Sequence, residues 1–177
     1  MKKLLALAAF VLAASMVQAA AVSWSVAGNT FGKSPDDTSS NARAKGYAVY
    51  AFLDADRSDV LSALSSGDVD SAVAKAKSNG TTGTSGATSG TIEGLTGSTA
   101  TIFLVAVDPD GKNYLVSSSM TANTFTPPAS STADTTTAYN SSNWGGGSWQ
   151  PVAVPEPCSV ALLALGLAAL GLKRKVA

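Results

Sequence analysis

The sequence predicts a mainly β protein: a small β-sandwich-like domain with a short helical insertion, flanked by an N-terminal signal helix and a C-terminal membrane helix. Three observations carry this expectation. Two runs, GYAVYAFLD at 46–54 and TATIFLVAVD at 99–108, are apolar on both side-chain parities, as strands covered on both faces are. Helical spacing of apolar residues is confined to about 58–79. Each end carries an apolar run with positive charge beside it, a pattern of targeting and not of core.

From the first residue, Lys2 and Lys3 form a charged region, residues 4–17 are apolar apart from Ser15, and Val17-Gln18-Ala19 places compact residues where signal peptidase reads them. Residues 1–19 are therefore read as a signal peptide cut after Ala19, with Ala21 as the second choice. The β-rich domain is expected over 20–126. Val22, Trp24 and Val26 alternate with Ser23 and Ser25, a half-buried strand. In the 46–54 run, Tyr47, Val49, Ala51 and Leu53 oppose Ala48, Tyr50 and Phe52, so both faces need cover.

Asp54, Asp56 and Ser58 fall at the first, third and fifth positions of a calcium-binding helix-loop-helix pattern, but Asp59 and Ser65 stand where that loop needs Gly and Glu. A helix N-cap at Ser58 or Asp59 is the preferred reading, with Asp54 and Asp56 kept as calcium candidates. Val60, Leu61 and Leu64 then make one short helix stopped by Gly67. Asp68 caps a second, striped by Val69, Ala72, Val73 and Ala76, with Lys75 and Lys77 in its last turn and Asn79-Gly80 at its end. This pair is expected over an edge or end of the sheets.

Residues 81–90 are Thr, Gly and Ser apart from Ala87 and read as a flexible connection, followed by a strand at 91–95. Asp108-Pro109-Asp110-Gly111 has the chemistry of a type I turn, and Tyr114, Leu115 and Val116 resume the apolar pattern, which makes a hairpin. Asp108 and Asp110 are a second pair of calcium candidates, although the turn explains each residue. Residues 120–126 either prolong the hairpin strand or form another, for five to seven strands in all.

Residues 127–153 are rich in Ser, Thr, Asn, Gly and Pro and are expected to be a linker, reaching about 30 Å as a coil. Trp144 and Trp149 within it admit three readings: an edge strand, a membrane-interface belt, or a sugar-stacking pair. Asn79-Gly80-Thr81 and Asn140-Ser141-Ser142 match the N-glycosylation pattern, and the Ser/Thr tracts suit O-glycosylation.

The apolar run at 159–172 has 14 residues. It rises about 21 Å as a helix, against a hydrocarbon core of about 30 Å. It spans only with help from Lys173, Arg174 and Lys175 snorkelling to the interface, and those charges keep that end cytoplasmic, leaving the bulk of the chain outside. Cys158 is the single cysteine, so no intramolecular disulfide exists.

Val154-Pro155-Glu156-Pro157, then the apolar run, then the basic cluster, together resemble the PEP-CTERM sorting signal of exported bacterial proteins over residues 154–177. The resemblance implies an exosortase as partner, a polytopic membrane cysteine protease that cuts near the triplet and passes the protein to the envelope or an extracellular matrix. Pro155, Glu156 and Pro157 would be the recognised residues, and the membrane a transient or permanent anchor. Two prolines around a carboxylate give a stiff, extended stretch suited to a groove that reads a strand. Cys158 directly after the triplet departs from the more usual Ser or Thr.

Of 12 basic and 12 acidic residues, the two ends hold five basic and one acidic, leaving seven and eleven, a net charge of −4 in the body. That balance argues against nucleic acid as a partner. The chain has no histidine, which removes Ser-His-Asp, Cys-His and His-ligated metal chemistry; only carboxylates such as Asp54, Asp56 and Glu93 remain. The expectation is a protein that is not an enzyme and takes no cofactor. It is instead an exported structural component of the cell surface or extracellular matrix, membrane-anchored before processing. The alternative is a surface adhesion or polysaccharide-binding module, with exopolysaccharide as partner, which requires Trp144 or Trp149 to stand exposed in a rigid groove.

Overall fold

A computed structural model describes residues 19–126, 136–144 and 148–153. Residues 1–18, 127–135, 145–147 and 154–177, which include the expected signal peptide and sorting signal, lie outside the described residues. The fold is mainly β, with two sheets packed face to face and a short helical insertion.

The two apolar runs at 46–54 and 99–108 become the central strands of the larger sheet. β1 (Ala20–Val26), β2 (Ala48–Leu53), β3 (Ser78–Thr81), β4 (Thr88–Leu95), β5 (Thr99–Val107), β6 (Asn113–Val116), β7 (Met120–Asn123), β8 (Thr136–Tyr139) and β9 (Gln150–Pro151) are joined by α1 (Arg57–Ser65) and α2 (Val69–Val73) between β2 and β3. One sheet has the order β4-β1-β8; the other runs β3-β2-β5-β6-β9, with β7 also on β5. β1 pairs antiparallel with β4 and parallel with β8.

β2 and β5 form the centre, antiparallel from Ala48↔Val107 to Leu53↔Ile102. Their period-two alternation sends Val49, Ala51, Ile102, Leu104 and Ala106 toward the other sheet, where Val22, Trp24, Val26, Ile92 and Tyr139 meet them. Phe52, Phe103, Val105 and Val107 point the other way, onto Val60 and Leu64 of α1 and Ala72 of α2. The helices therefore cover the outer face of the larger sheet, and not an edge or end. The reason is that β2 and β5 are apolar on both sides, and an uncovered Phe103 face would forfeit about 1.5–3 kcal/mol per large side chain. Phe52 and Phe103 stack at 5.2 Å across the ladder, and the Arg57 guanidinium lies 4.8 Å above the Phe103 ring.

The insertion is shorter than its sequence pattern suggests. α1 has Asp56 at its N-cap with no side-chain capping bond, and neither Ser58 nor Asp59 occupies that position. Gly67 takes φ +83° after α1, a conformation glycine adopts without strain. Asp68 accepts from the Ser71 amide at 3.1 Å, as an N-cap should. α2 ends at Val73, so Lys75 and Lys77 lie beyond it and pair instead with Asp59 at 2.9 Å and Asp56 at 4.0 Å. Asn79 and Gly80 sit inside β3, paired with Tyr50 and Val49, because edge pairing on β2 satisfies more backbone than another helical turn would.

The expected flexible connection 81–90 is also more ordered than its composition implies. Thr82 is buried, and its hydroxyl oxygen accepts from the Tyr47 amide at 2.9 Å, while β4 already begins at Thr88. Small residues are needed there for another reason. A Cβ on Gly90 would lie 2.6 Å from Cζ2 of Trp24 and 2.6 Å from Oγ of Ser78, so the indole seats directly on bare backbone, its Nε1 donating to Ser78 Oγ at 3.2 Å.

The hairpin turn forms as expected, with the Gly111 amide donating to the Asp108 carbonyl at 3.0 Å. β6 and β7 are successive stretches along one side of β5, whose register slips by one residue between Val105↔Val116 and Ile102↔Met120. At the slip, the buried Ser117 hydroxyl accepts from the Leu104 amide at 2.8 Å and replaces the missing ladder partner.

Candidate functional site

Two of the strands come from the stretch expected to be a linker, and they define the chain's passage toward the sorting segment. Trp144 ends a turn at Ser141–Trp144 and is buried to 1% exposure. Its ring lies 4.9 Å from Phe31 and 6.4 Å from Tyr139. Trp149 is half-buried, 5.9 Å from Phe31 and 5.4 Å from Tyr47, and its Nε1 donates to the Gly32 carbonyl at 3.1 Å. None of the three readings describes both tryptophans: Trp144 is a core residue in a tight turn and Trp149 packs on the core just before the edge strand β9, so neither lies in a strand, forms an exposed sugar platform or is a free interfacial ring. Sequence spacing missed this because their partners, Phe31 and Tyr47, are more than 90 residues away.

β9 follows at once. Gln150 and Pro151 pair with Tyr114 and Asn113, the Val152 amide donates to the Lys112 carbonyl at 2.7 Å, and half-buried Val152 packs against the core cluster that includes Phe103, Tyr114 and residues of α1 and α2. Pro151 has no amide to give, and an edge strand is where that is tolerated. A cavity of about 430 Å³, lined by Gly67, Val69, Lys112, Pro151 and Val152, lies alongside. β9 thus docks the chain onto the domain down to the residue before Ala153.

The loop between β1 and β2 is fixed by a polar network beside this edge. The Ser34 amide donates to the Tyr47 hydroxyl oxygen at 2.8 Å, and that hydroxyl donates to Asp37 Oδ2 at 2.8 Å. Hydrogen bonds from Ser39, then from Tyr47, with the Lys33 ammonium 3.4 Å away, hold the Asp37 carboxyl at about 2 from an ordinary 3.8. Burial, aided by the Asp37 charge, pushes the Tyr47 phenol up, and burial does the same to Tyr139, whose hydroxyl donates to the Ile102 carbonyl at 2.8 Å.

The calcium candidates have other partners. Asp108 is buried and accepts from the Lys112 amide at 2.8 Å, Ser34 Oγ at 3.0 Å and Asn113 Nδ2 at 2.9 Å. Asp110 is exposed and lies 3.9 Å from Lys112. Asp54 accepts from the Ser119 hydroxyl and lies 4.0 Å from Arg57, while Asp56 faces Lys77. Asp54–Asp56 form a tight helical turn leading into α1. Among the described residues no group of three or more His, Cys, Asp or Glu is placed to hold a metal ion. Asp36, Asp37, Asp108 and Asp110 border an open cavity of about 280 Å³ with Ser34 and Lys45, but Asp37 and Asp108 serve the network above.

Ala19 is exposed and stands immediately before β1. Pro155, Glu156, Pro157, Cys158, the 159–172 run and Lys173, Arg174 and Lys175 lie outside the described residues. No helix of the described residues is long and apolar enough to cross a membrane.

A family model, described as the PEP-CTERM protein-sorting motif, matches residues 153–175. Searches of curated proteins and of solved structures returned no match for the chain. The family match begins two residues after β9 ends and leaves the folded part outside it. Over residues 153–175 the chain carries a match to the PEP-CTERM protein-sorting motif, which begins just after the last strand of the fold.

Proposed function

We propose that this protein is an exported structural component of the cell surface or extracellular matrix, a β-sandwich delivered through exosortase processing at its PEP-CTERM signal. The match over residues 153–175 carries the proposal, since that motif implies an exported, membrane-associated precursor handled by a membrane protease at the envelope. The signal peptide is cut after Ala19. A cut after Ala21 would remove the first two residues of β1, together with the paired 2.8 and 2.9 Å bonds between Ala21 and Phe125. The membrane run 159–172 holds the precursor with Lys173, Arg174 and Lys175 inside.

A passive role is favoured over an adhesive one because Trp144 is buried and Trp149 packs on Phe31 and Tyr47, so neither ring is the exposed stacking platform that polysaccharide binding would use. The protein has no catalytic role in this reading. Intact mass spectrometry of protein recovered from the native host's envelope and medium tests it. A species beginning at Ala20 and ending near Pro155-Glu156-Pro157, with or without added glycan mass, is the expected result. A species that retains Lys173 to the final residue would make the short span the permanent anchor and end the sorting reading.

A further inference from the structure

We infer that β9 is a clip that must detach before the sorting triplet can be cut, so that the stability of this one edge strand sets the rate of processing. The inference rests on the sorting reading. It follows from distance: Pro155 is three residues beyond Val152, and three residues of extended chain span at most about 11 Å. Val152 is itself hydrogen-bonded to Lys112 and packed, half-buried, against the outer core cluster. A cleft that reads an extended strand pairs with backbone on both sides of its target. The residues on the upstream side, Gln150 to Ala153, are here engaged with β6 or adjacent to it. A folded body this close also blocks approach to the cleft.

The clip is built to open more readily than the rest. It has two ladder pairs against six between β2 and β5, lies at a sheet edge, and Gln150 and Pro151 are both exposed. What holds it are the Val152 amide on Lys112, the Val152 side chain, and Trp149 with its bond to the Gly32 carbonyl. Such segments occupy the low-stability end of a fold's local openings. Where opening is fast relative to cleavage, proteolysis tracks the open fraction. Asn113 and Pro151 face each other between the Lys112 and Val152 bond on one side and the Tyr114 and Gln150 pair on the other, which suits them to a covalent lock.

The test uses full-length precursor with Cys158→Ser as reference, incubated with membranes of the native host and followed by mass spectrometry. Two further precursors carry, in that background, Asn113→Cys with Pro151→Cys, or Trp149→Ala. Each is assayed with and without reductant, so that the locked protein is compared with its own reduced form and any effect of reductant on the protease shows in the reference. The expected result is cleavage of the oxidised lock at least about tenfold slower than of its reduced form, and of Trp149→Ala about tenfold faster than of the reference. Cleavage of the oxidised and reduced lock at equal rates overturns the clip while leaving the sorting reading standing. Absence of cleavage in the reference removes the sorting reading and the clip with it.

Discussion

The centre of the larger sheet and the last strands of the chain are held by different means. β2 and β5 bury both faces, one against a second sheet and one against α1 and α2, over six consecutive ladder pairs. β8 and β9 bring four and two residues, from a Ser/Thr/Gly-rich stretch, and attach through Tyr139, Trp144 and Trp149. One region is specified by continuous apolar patterning, the other by a few aromatic anchors spaced through polar sequence. A low-complexity composition therefore does not imply an unanchored chain, provided that a large ring occurs every few residues and a cavity exists to receive it.

Truncation of a buried ring in each region is the most direct way to break the comparison. Phe103→Ala and Trp144→Ala should each cost about 3–5 kcal/mol in chemical denaturation, because both side chains are fully buried. If Trp144→Ala cost nothing, the last strands would be appended to the fold and not part of it. A smaller effect is expected where the sheets touch through bare backbone. Gly90→Val places carbon into the Trp24 ring and Ser78 hydroxyl and should lose about 1–3 kcal/mol by overpacking, read as a fall in melting temperature and a shift in Trp24 fluorescence. An unchanged melting temperature would mean that the sheets can separate locally without penalty.

The smallest effect concerns pH and sharpens the view of the polar edge. Asp37 is held at about 2 in the fold against an ordinary 3.8. Its folded value is the lower one, so its contribution is present in full above about pH 4 and disappears as pH falls toward 2. Melting temperature measured from pH 6 to 2 should accordingly fall more steeply for the wild type than for Asp37→Asn, the two curves converging near pH 2. Parallel curves would show that the carboxylate charge is not what fixes the loop between β1 and β2.

Much of the centre was legible in the sequence. The double parity of residues 46–54 and 99–108 announced β2 and β5, the Trp24 alternation announced β1, and Asp108-Pro109-Asp110-Gly111 announced the turn. Asp68 was readable as a cap because its target, the Ser71 amide, is local. The helical pair was placed at the wrong surface, since a stripe of Val60, Leu64 and Ala72 says that a face is needed but not which one. β3 was taken for the end of a helix because its pairing to Tyr50 lies far along the chain. At the candidate site the Pro-Glu-Pro pattern was visible outright, whereas the anchoring of residues 148–153 depended on Gly32, Phe31 and Lys112, none of which any local window includes.

The position of β1 has a consequence for the order of events in export. It is the middle strand of its sheet, with β4 on one side and β8 on the other, so its partners lie about 65 and 113 residues downstream. β1 therefore has its second edge filled only near the end of the chain, by the last strand but one. Until Thr136–Tyr139 has crossed, β1 offers an open row of amides and carbonyls beside Val22 and Trp24, a template for pairing with other chains. When β8 closes that edge, the Trp144 turn, Trp149 and β9 have still to follow before the sorting stretch. A chain stopped short of Tyr139 would leave that edge of β1 open to other chains, and it would also lack residues 153–175, which match the sorting motif.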